Sequence, residues 1–237
     1  MHELDRPIWH ALADRQRELA QGSDLALRFD PEVSPFAACR DDEPAALAAL
    51  AGLVPAAGML VLLQAGPAPV PPGCEPVLVA QGVQMVLERL RPVRLEHAAV
   101  DLGPADVADM VALADLTRPG PFLPGTSRLG RFVGIRIEGR LAAMAGGRLK
   151  PGRHTEVSGV CVHPDFRGHG MAAQLSSLVA QRIRARGERP FLHAFADNHR
   201  AIRLYGQLGF THRRDMSVMA IVPRGRGSDP SAPPRVH

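Results

Sequence analysis

Glu156-Val157-Ser158-Gly159-Val160-Cys161-Val162-His163-Pro164-Asp165-Phe166-Arg167-Gly168-His169-Gly170-Met171-Ala172 is the stretch on which the reading of this chain turns. Val157, Val160 and Val162, with Cys161 between the last two, make a β-branched apolar run of strand length. Pro164 ends it, because its nitrogen has no hydrogen to give the ladder. Beyond the turn, Ala173, Leu175, Leu178, Val179 and Ile183 recur with a helical period that Gly187 stops. Arg167-Gly168-His169-Gly170 joins the two elements. Glycines in the first turn of a helix let backbone N–H groups converge on an anion, and the helix dipole adds partial positive charge there. Arg167 adds a planar charged fork suited to phosphate oxygens. A phosphate fits this segment; so does a tight strand-to-helix turn that needs glycine for its backbone alone. The spacing is neither the long glycine loop closed by Gly-Lys-Ser/Thr nor a full Gly-x-Gly-x-x-Gly.

Downstream, 190–196 reads as a second short buried strand. Asp197-Asn198 can cap a helix carrying Ala201, Ile202, Leu204, Tyr205 and Leu208, which Gly209 terminates. Phe210 to Val222 reads as a strand pair, and 224–237, rich in Gly, Pro, Ser and Arg, as a disordered tail. Upstream, Arg131 to Ile137 alternates, turns at Glu138-Gly139 and returns through Leu141, Ala143 and Ala145, a β-hairpin. Before it lie the loop PGPFLPG (119–125), a helix opened by Gly103-Pro104 and running through Leu113, and a strand over Val93 to Val100.

The first half reads as a small α/β unit. Ile8, Trp9, Leu12 and Leu19 fall near one helix face with Trp9 as a core anchor, and 24–29 alternates as a strand. Residues 44–53 are helical, 59–63 a strand and 66–73 a loop. Val77 to Val79 then suggests a strand, and Met85 to Leu87 a helix closed by Arg91-Pro92. No nucleophile elbow, metal-ligand cluster or glycine-rich phosphate loop occurs in this half.

A chain of 237 residues with 46% hydrophobic content can bury one large or two small cores, and we expect two. The net charge of +4 comes from arginines spread along the chain, Lys150 being the only lysine. That suits a polyanionic small ligand and gives little support to a nucleic-acid surface. Cys39, Cys74 and Cys161 are odd in number and far apart, which implies neither disulfides nor a zinc set. A charged N-terminus without a signal core, and no apolar run of bilayer length, lead us to expect a soluble cytoplasmic protein that does not engage membranes.

Two spacings then stand out together. Val-x-Pro-x-x-Arg-Gly-x-Gly-x-Ala spans Val162 to Ala172, and Asn-x-x-Ala-x-x-x-Tyr-x-x-x-Gly-Phe spans Asn198 to Phe210. In this order and separation they resemble the GNAT acyltransferase superfamily, which moves acyl groups from coenzyme A to amines. The resemblance covers roughly Val93 to Val222. It implies an α/β (α+β) fold, a mixed, mostly antiparallel sheet flanked by helices. The acyltransferase domain would occupy 93–223, preceded by a smaller α/β domain over 1–92 that resembles the partner half of two-domain members.

Carried onto this chain, the resemblance implies acetyl-CoA, or another acyl-CoA, as co-substrate and no metal. Val160, Cys161 and Val162 would pair with the pantetheine as an added strand does. Arg167 and the backbone of Gly168, His169, Gly170, Met171 and Ala172 would hold the pyrophosphate, and Asn198, with Ala201 beside it, would bond the pantetheine. The N–H of Val160 or Val162 could stabilise an oxyanion. Tyr205, the only tyrosine, stands where the family often keeps an acid for the departing thiolate; packing between helix and sheet is its other reading. Glu156 matches a base in some members and could equally be a solvated strand end. His163 and His193 could relay a proton or simply belong to strands. Asp165 departs from the usual Gln or Arg and would repel a pyrophosphate unless it points away. Cys161, with no visible base or cation beside it, reads as a core residue rather than a nucleophile.

Direct transfer of an acetyl group to an amine, small molecule more than protein, is therefore expected of a monomer or homodimer. A non-catalytic acyl-CoA-binding sensor or scaffold is the alternative, and a protein-binding adaptor a third reading.

Overall fold

The computed structural model describes residues 2–225; the expected tail lies outside them except for Arg224 and Gly225, which form a turn. In chain order the elements are α1 (Pro7–Ala13), β1 (Ala20–Gly22), β2 (Ala26–Phe29), β3 (Ala37–Cys39), α2 (Pro44–Ala51), β4 (Leu60–Ala65) and β5 (Cys74–Leu87). Then follow β6 (Ala99–Leu102), α3 (Val107–Thr117), β7 (Phe132–Ile137), β8 (Arg140–Gly147), β9 (His154–Val162), α4 (Met171–Ala185), β10 (Arg189–Phe195), α5 (His199–Leu208) and β11 (Phe210–Pro223). Among the described residues no helix is long and apolar enough to cross a membrane.

The chain parts into two compact units that interleave along the sequence, where the sequence reading divides it once, after Pro92. One comprises residues 2–82, Lys150–Gly152 and 215–225; the other comprises Val83–Leu149 and Arg153–Arg214. β5 and β11 contribute residues to both.

In the first unit β1, β2 and β3 form an antiparallel sheet, and β4 pairs antiparallel with the later part of β11, from Ala65↔Met216 to Leu60↔Ile221. Its core gathers Ala26, Cys39, Leu50, Leu60, Leu62, Met219 and Ile221. Ile8 and Leu12 of α1 are fully buried, whereas Trp9 is only partly so, and the anchoring expected of it falls to these aliphatic neighbours.

In the second unit β10 and β9 run parallel, Arg189↔His154 to Phe191↔Glu156, and β9, β8, β7 and β6 follow as antiparallel neighbours. This is the mixed, mostly antiparallel sheet flanked by helices that was expected. Leu175, Val179, Ala180 and Ile183 of α4 cover one face, on Val133, Ile135, Ala143, Ala145 and Val157. Met110, Leu113 and Ala114 of α3 cover the other, with Phe132, Met144 and Cys161.

Two elements differ from the sequence expectation. Met85 to Leu87 is the end of the single strand β5, not a helix. Val83, Met85 and Leu87 all pack on the α4-side core, the period of two that a strand requires. The strand expected over Val93 to Val100 is confined to β6. Leu95 is 69% exposed and only Val93 of the segment before β6 packs on the α4-side core, so the stretch lacks the alternating buried face of a strand, and Gln174 of α4 holds it instead. The Gln174 Oε1 accepts from the N–H of Glu96 and His97 (3.0 and 3.2 Å), and its Nε2 donates to the His97 carbonyl (2.5 Å).

Candidate active site

The site begins with an irregularity in β9. The register against β8 runs Gly147↔Val157 and Gly146↔Ser158, then resumes at Met144↔Cys161 and Ala143↔Val162. The extra residue is a bulge at Gly159, whose φ of 60° lies in the left-handed region and whose added Cβ would come 2.9 Å from the Phe132 ring. The bulge reverses the alternation. Val157, Val160 and Val162 all meet the α4-side core, and Cys161 turns to the α3 side. Beyond Glu156↔Phe191 the parallel strands β9 and β10 are no longer paired. The sheet opens beside Val160–Val162.

Into that opening faces a cleft of about 550 Å³. Of the residues expected to hold the co-substrate, Val160, Cys161, Val162, Arg167, Gly168, Gly170, Met171, Ala172, Asn198 and Ala201 line it, and Tyr205 does too. His169 does not: its Nδ1 turns back to the Phe166 carbonyl at 3.2 Å. Glu156 does not line it either. Sequence reading missed Thr117, Arg118 and Pro119 at the end of α3, and Arg200 in the first turn of α5. Only the fold brings them to this cleft, and no local spacing marks them.

Gly168 and Gly170 have φ of 91° and 70°, and a Cβ on either would meet nothing within 4 Å. Backbone geometry, not crowding, calls for glycine here, and the concavity stays open. Gly170 is the N-cap of α4, and the first intrahelical bond is donated by Gln174 to its carbonyl (3.0 Å), so the amides of Met171, Ala172 and Ala173 precede the helical ladder. The charged side chains lining the cleft are Arg118, Arg167 and Arg200, with no carboxylate among them. Asp165, the awkward acid of the turn, is 3.6 Å from Arg140 and outside the lining. Asn198 caps α5, its Oδ1 accepting from the Ala201 N–H at 3.1 Å, which leaves its amide nitrogen as a donor.

Buried titratable groups gather near Tyr205. Tyr205 is 8% exposed and set edge-on to Phe210. Burial, with the nearby Cys161 and Glu156, pushes its phenol up to about 12. Burial likewise pushes the Cys161 thiol up to about 12, against a hydrogen bond with Thr117, so Cys161 is a neutral core thiol and no nucleophile at neutral pH.

Glu156, 1% exposed, accepts two parallel bonds from Arg148 (Nε and Nη2, both 2.9 Å) and one from the Leu149 N–H (3.3 Å). Burial alone would raise its pKa. Arg148 and His193 overcome that and hold the carboxyl well below the usual carboxylate range. His193 Nδ1 lies 2.8 Å from Glu156 Oε1, and its Nε2 lies 3.0 Å from Gln84 Nε2. Arg213 can only donate, and it donates to Gln84 Oε1 at 2.8 Å. The Gln84 amide must then donate to His193 Nε2, so the ring proton sits on Nδ1 and points at Glu156. His163 is drawn off elsewhere, its Nε2 3.1 Å from Arg140.

Comparisons with known proteins identify the fold family. A solved structure of a GNAT-family protein from Novosphingobium aromaticivorans is 44% identical, over 94% of this chain and 99% of its own, with a TM-score of 0.88. The chain belongs to the GNAT family. The family model described as FR47-like protein matches residues 132–218. A GCN5-related N-acetyltransferase from Kribbella flavida, 19% identical over 94% of this chain and 96% of its own, has the same fold at a TM-score of 0.64. The comparison with curated proteins gave no match. The cleft lies beside Val160–Val162 of β9, past the last β9–β10 pair at Glu156↔Phe191.

Proposed function

We propose that this chain transfers an acetyl group from acetyl-CoA to the amine of a small molecule, by direct attack while both are bound. The observation that carries this reading is the cleft itself. It is free of carboxylates, and its lining brings together Arg167, the positive-φ glycines Gly168 and Gly170, and the buried, protonated phenol of Tyr205.

The chain's own residues divide the work. The amides of Gly168 to Ala172 and the Arg167 guanidinium hold the pyrophosphate, and backbone groups of Val160–Val162 pair with the pantetheine amides. Asn198 adds a donor to the same arm. The N–H of Val160 or Val162 faces the charge that develops on the thioester oxygen, where a fixed dipole costs no reorganisation. Tyr205 donates its proton to the departing thiolate. A phenol raised to about 12 is reliably protonated before that step.

The amine must reach the thioester neutral. Glu156 is too strongly held as an anion to take the proton itself at neutral pH. It acts as a positioning residue, fixing His193 as the Nδ1–H tautomer and leaving Nε2 as the acceptor atom. Gln84 occupies that acceptor in the structure, so accepting a proton there requires its amide to yield.

Thiol release from acetyl-CoA, followed over a panel of small amines, tests the reading. Turnover with at least one amine, sharply reduced in Tyr205→Phe, is the expected result. Binding of acetyl-CoA with no thiol release on any amine, in both proteins alike, would instead make the chain a binder.

A further inference from the structure

The C-terminus of α3 carries a feature the reaction above does not use. Arg118 caps the helix at φ 50° and ψ 59°, a left-handed conformation, with its N–H donating to the Ala114 carbonyl at 2.7 Å. Such caps ordinarily take glycine, which has no Cβ to crowd the backbone. Here a long cation is kept instead, and its exposed side chain lines the cleft. Backbone strain retained at a binding cleft points toward use of the side chain.

Its neighbours say which end of the cleft it serves. Thr117 is hydrogen-bonded to Cys161, and Pro119 lines both the cleft and a small adjoining cavity walled by Phe122, Phe132, Arg148 and Gly159. Arg118 thus sits between a residue bonded to Cys161 and one shared with the adjoining cavity, which sets its backbone at the Cys161 end of the cleft. No carboxylate lines either cavity. The nearby Arg148 is matched by Glu156, whereas no carboxylate partner of Arg118 occurs among the described residues. One uncompensated guanidinium fork beside the reacting carbonyl is suited to a planar anion brought in by a reactant.

We propose that Arg118 recognises a carboxylate carried by one of the two reactants at the acyl end. That carboxylate belongs either to an amino-acid-like amine or to an acyl group ending in a carboxylate. The inference rests on the acyltransfer reading and narrows its substrate class.

The experiment has two arms, run on the full chain and on Arg118→Gln. In the first, acetyl-CoA is turned over with a set of amino acids and with their carboxamides. In the second, the affinities of succinyl-CoA and butyryl-CoA are compared by calorimetry, with free CoA as reference. The expected result is a preference of about tenfold or more for the carboxylate in one arm, which names its source, and collapse of that ratio in Arg118→Gln. Free CoA affinity should stay within about twofold. Arg118→Gly, which relieves the left-handed cap, should melt no lower than the parent while losing the same preference, separating recognition from folding.

Turnover on some amine with no carboxylate preference in the kinetics of the first arm or the affinities of the second, or a preference that survives Arg118→Gln, would overturn the inference alone. Equal weakening of free CoA would make Arg118 a phosphate ligand and also overturn it. Acetyl-CoA binding without thiol release on any amine would remove the acyltransfer reading and this inference with it.

Discussion

Tyr205 and Glu156, both buried, show how charged partners set opposite fates for two acids in one unit. The phenol is pushed up to about 12 by desolvation and by the anionic neighbour. Tyr205→Phe should therefore lower kcat about a hundredfold, the usual worth of one positioned acid, and leave acetyl-CoA affinity within about twofold. Steady-state kinetics with calorimetry checks the split. In the wild type, loss of the Tyr205 proton should cause no fall in kcat at pH values well below 12. The carboxylate goes the other way, because Arg148 and His193 outweigh its desolvation. Its folded pKa is below its ordinary value of 4.5, so the unfolded chain takes up the proton first as pH falls. The stability it contributes is present above about pH 4.5 and is lost as pH drops from there toward the folded value. Glu156→Gln should cost about 3–5 kcal/mol at pH 7, since it strips a partner from a buried pair, and should flatten the acid limb of a denaturation series.

At the scale of elements, the β9-turn-α4 unit shapes much of the cleft. Its strand half needs the Gly159 bulge to turn Val160 and Val162 toward the α4 side, and its helix half needs a concave start with exposed amides. Gly170→Glu would add a carboxylate to that concavity and force it into a left-handed backbone. Loss of measurable acetyl-CoA affinity by calorimetry, with the far-ultraviolet spectrum retained, is the expected outcome; unchanged affinity would place the phosphates elsewhere. The same unit shows the limits of local pattern. Val162 to Ala172 could be read as strand, turn and helix because β-branched residues, a proline and paired glycines each have a steric meaning. The bulge was not legible, since Gly159 looks like any glycine in a strand until its partner strand supplies the register.

For the whole molecule, the interleaving of the units has a testable cost. β4 finds its antiparallel partner in the later part of β11, and Met219 and Ile221 complete the core around Leu60 and Leu62. A fragment of residues 1–92 lacks that strand and should remain unfolded, with a narrow amide dispersion in its NMR spectrum. Adding residues 210–223 as a separate peptide should restore dispersion. A well-dispersed spectrum from 1–92 alone would contradict this. The single division after Pro92 drawn from sequence could not anticipate it, because pairing between strands some 150 positions apart leaves no mark in either strand.

The sequence by itself determined the family frame, the strand-turn-helix unit with its paired glycines, the capping asparagine and the lone tyrosine. Those features rest on local sterics and fixed spacings, which neighbouring residues along the chain are enough to specify. Only the tertiary structure decided that Glu156 is a clamped anion, that His193 carries its proton on Nδ1, that Asp165 turns to Arg140, and that Arg118 lines the same cleft as Cys161. Each of these depends on groups from separate elements meeting in space, where desolvation and partner geometry, rather than residue type, set the charge and the role.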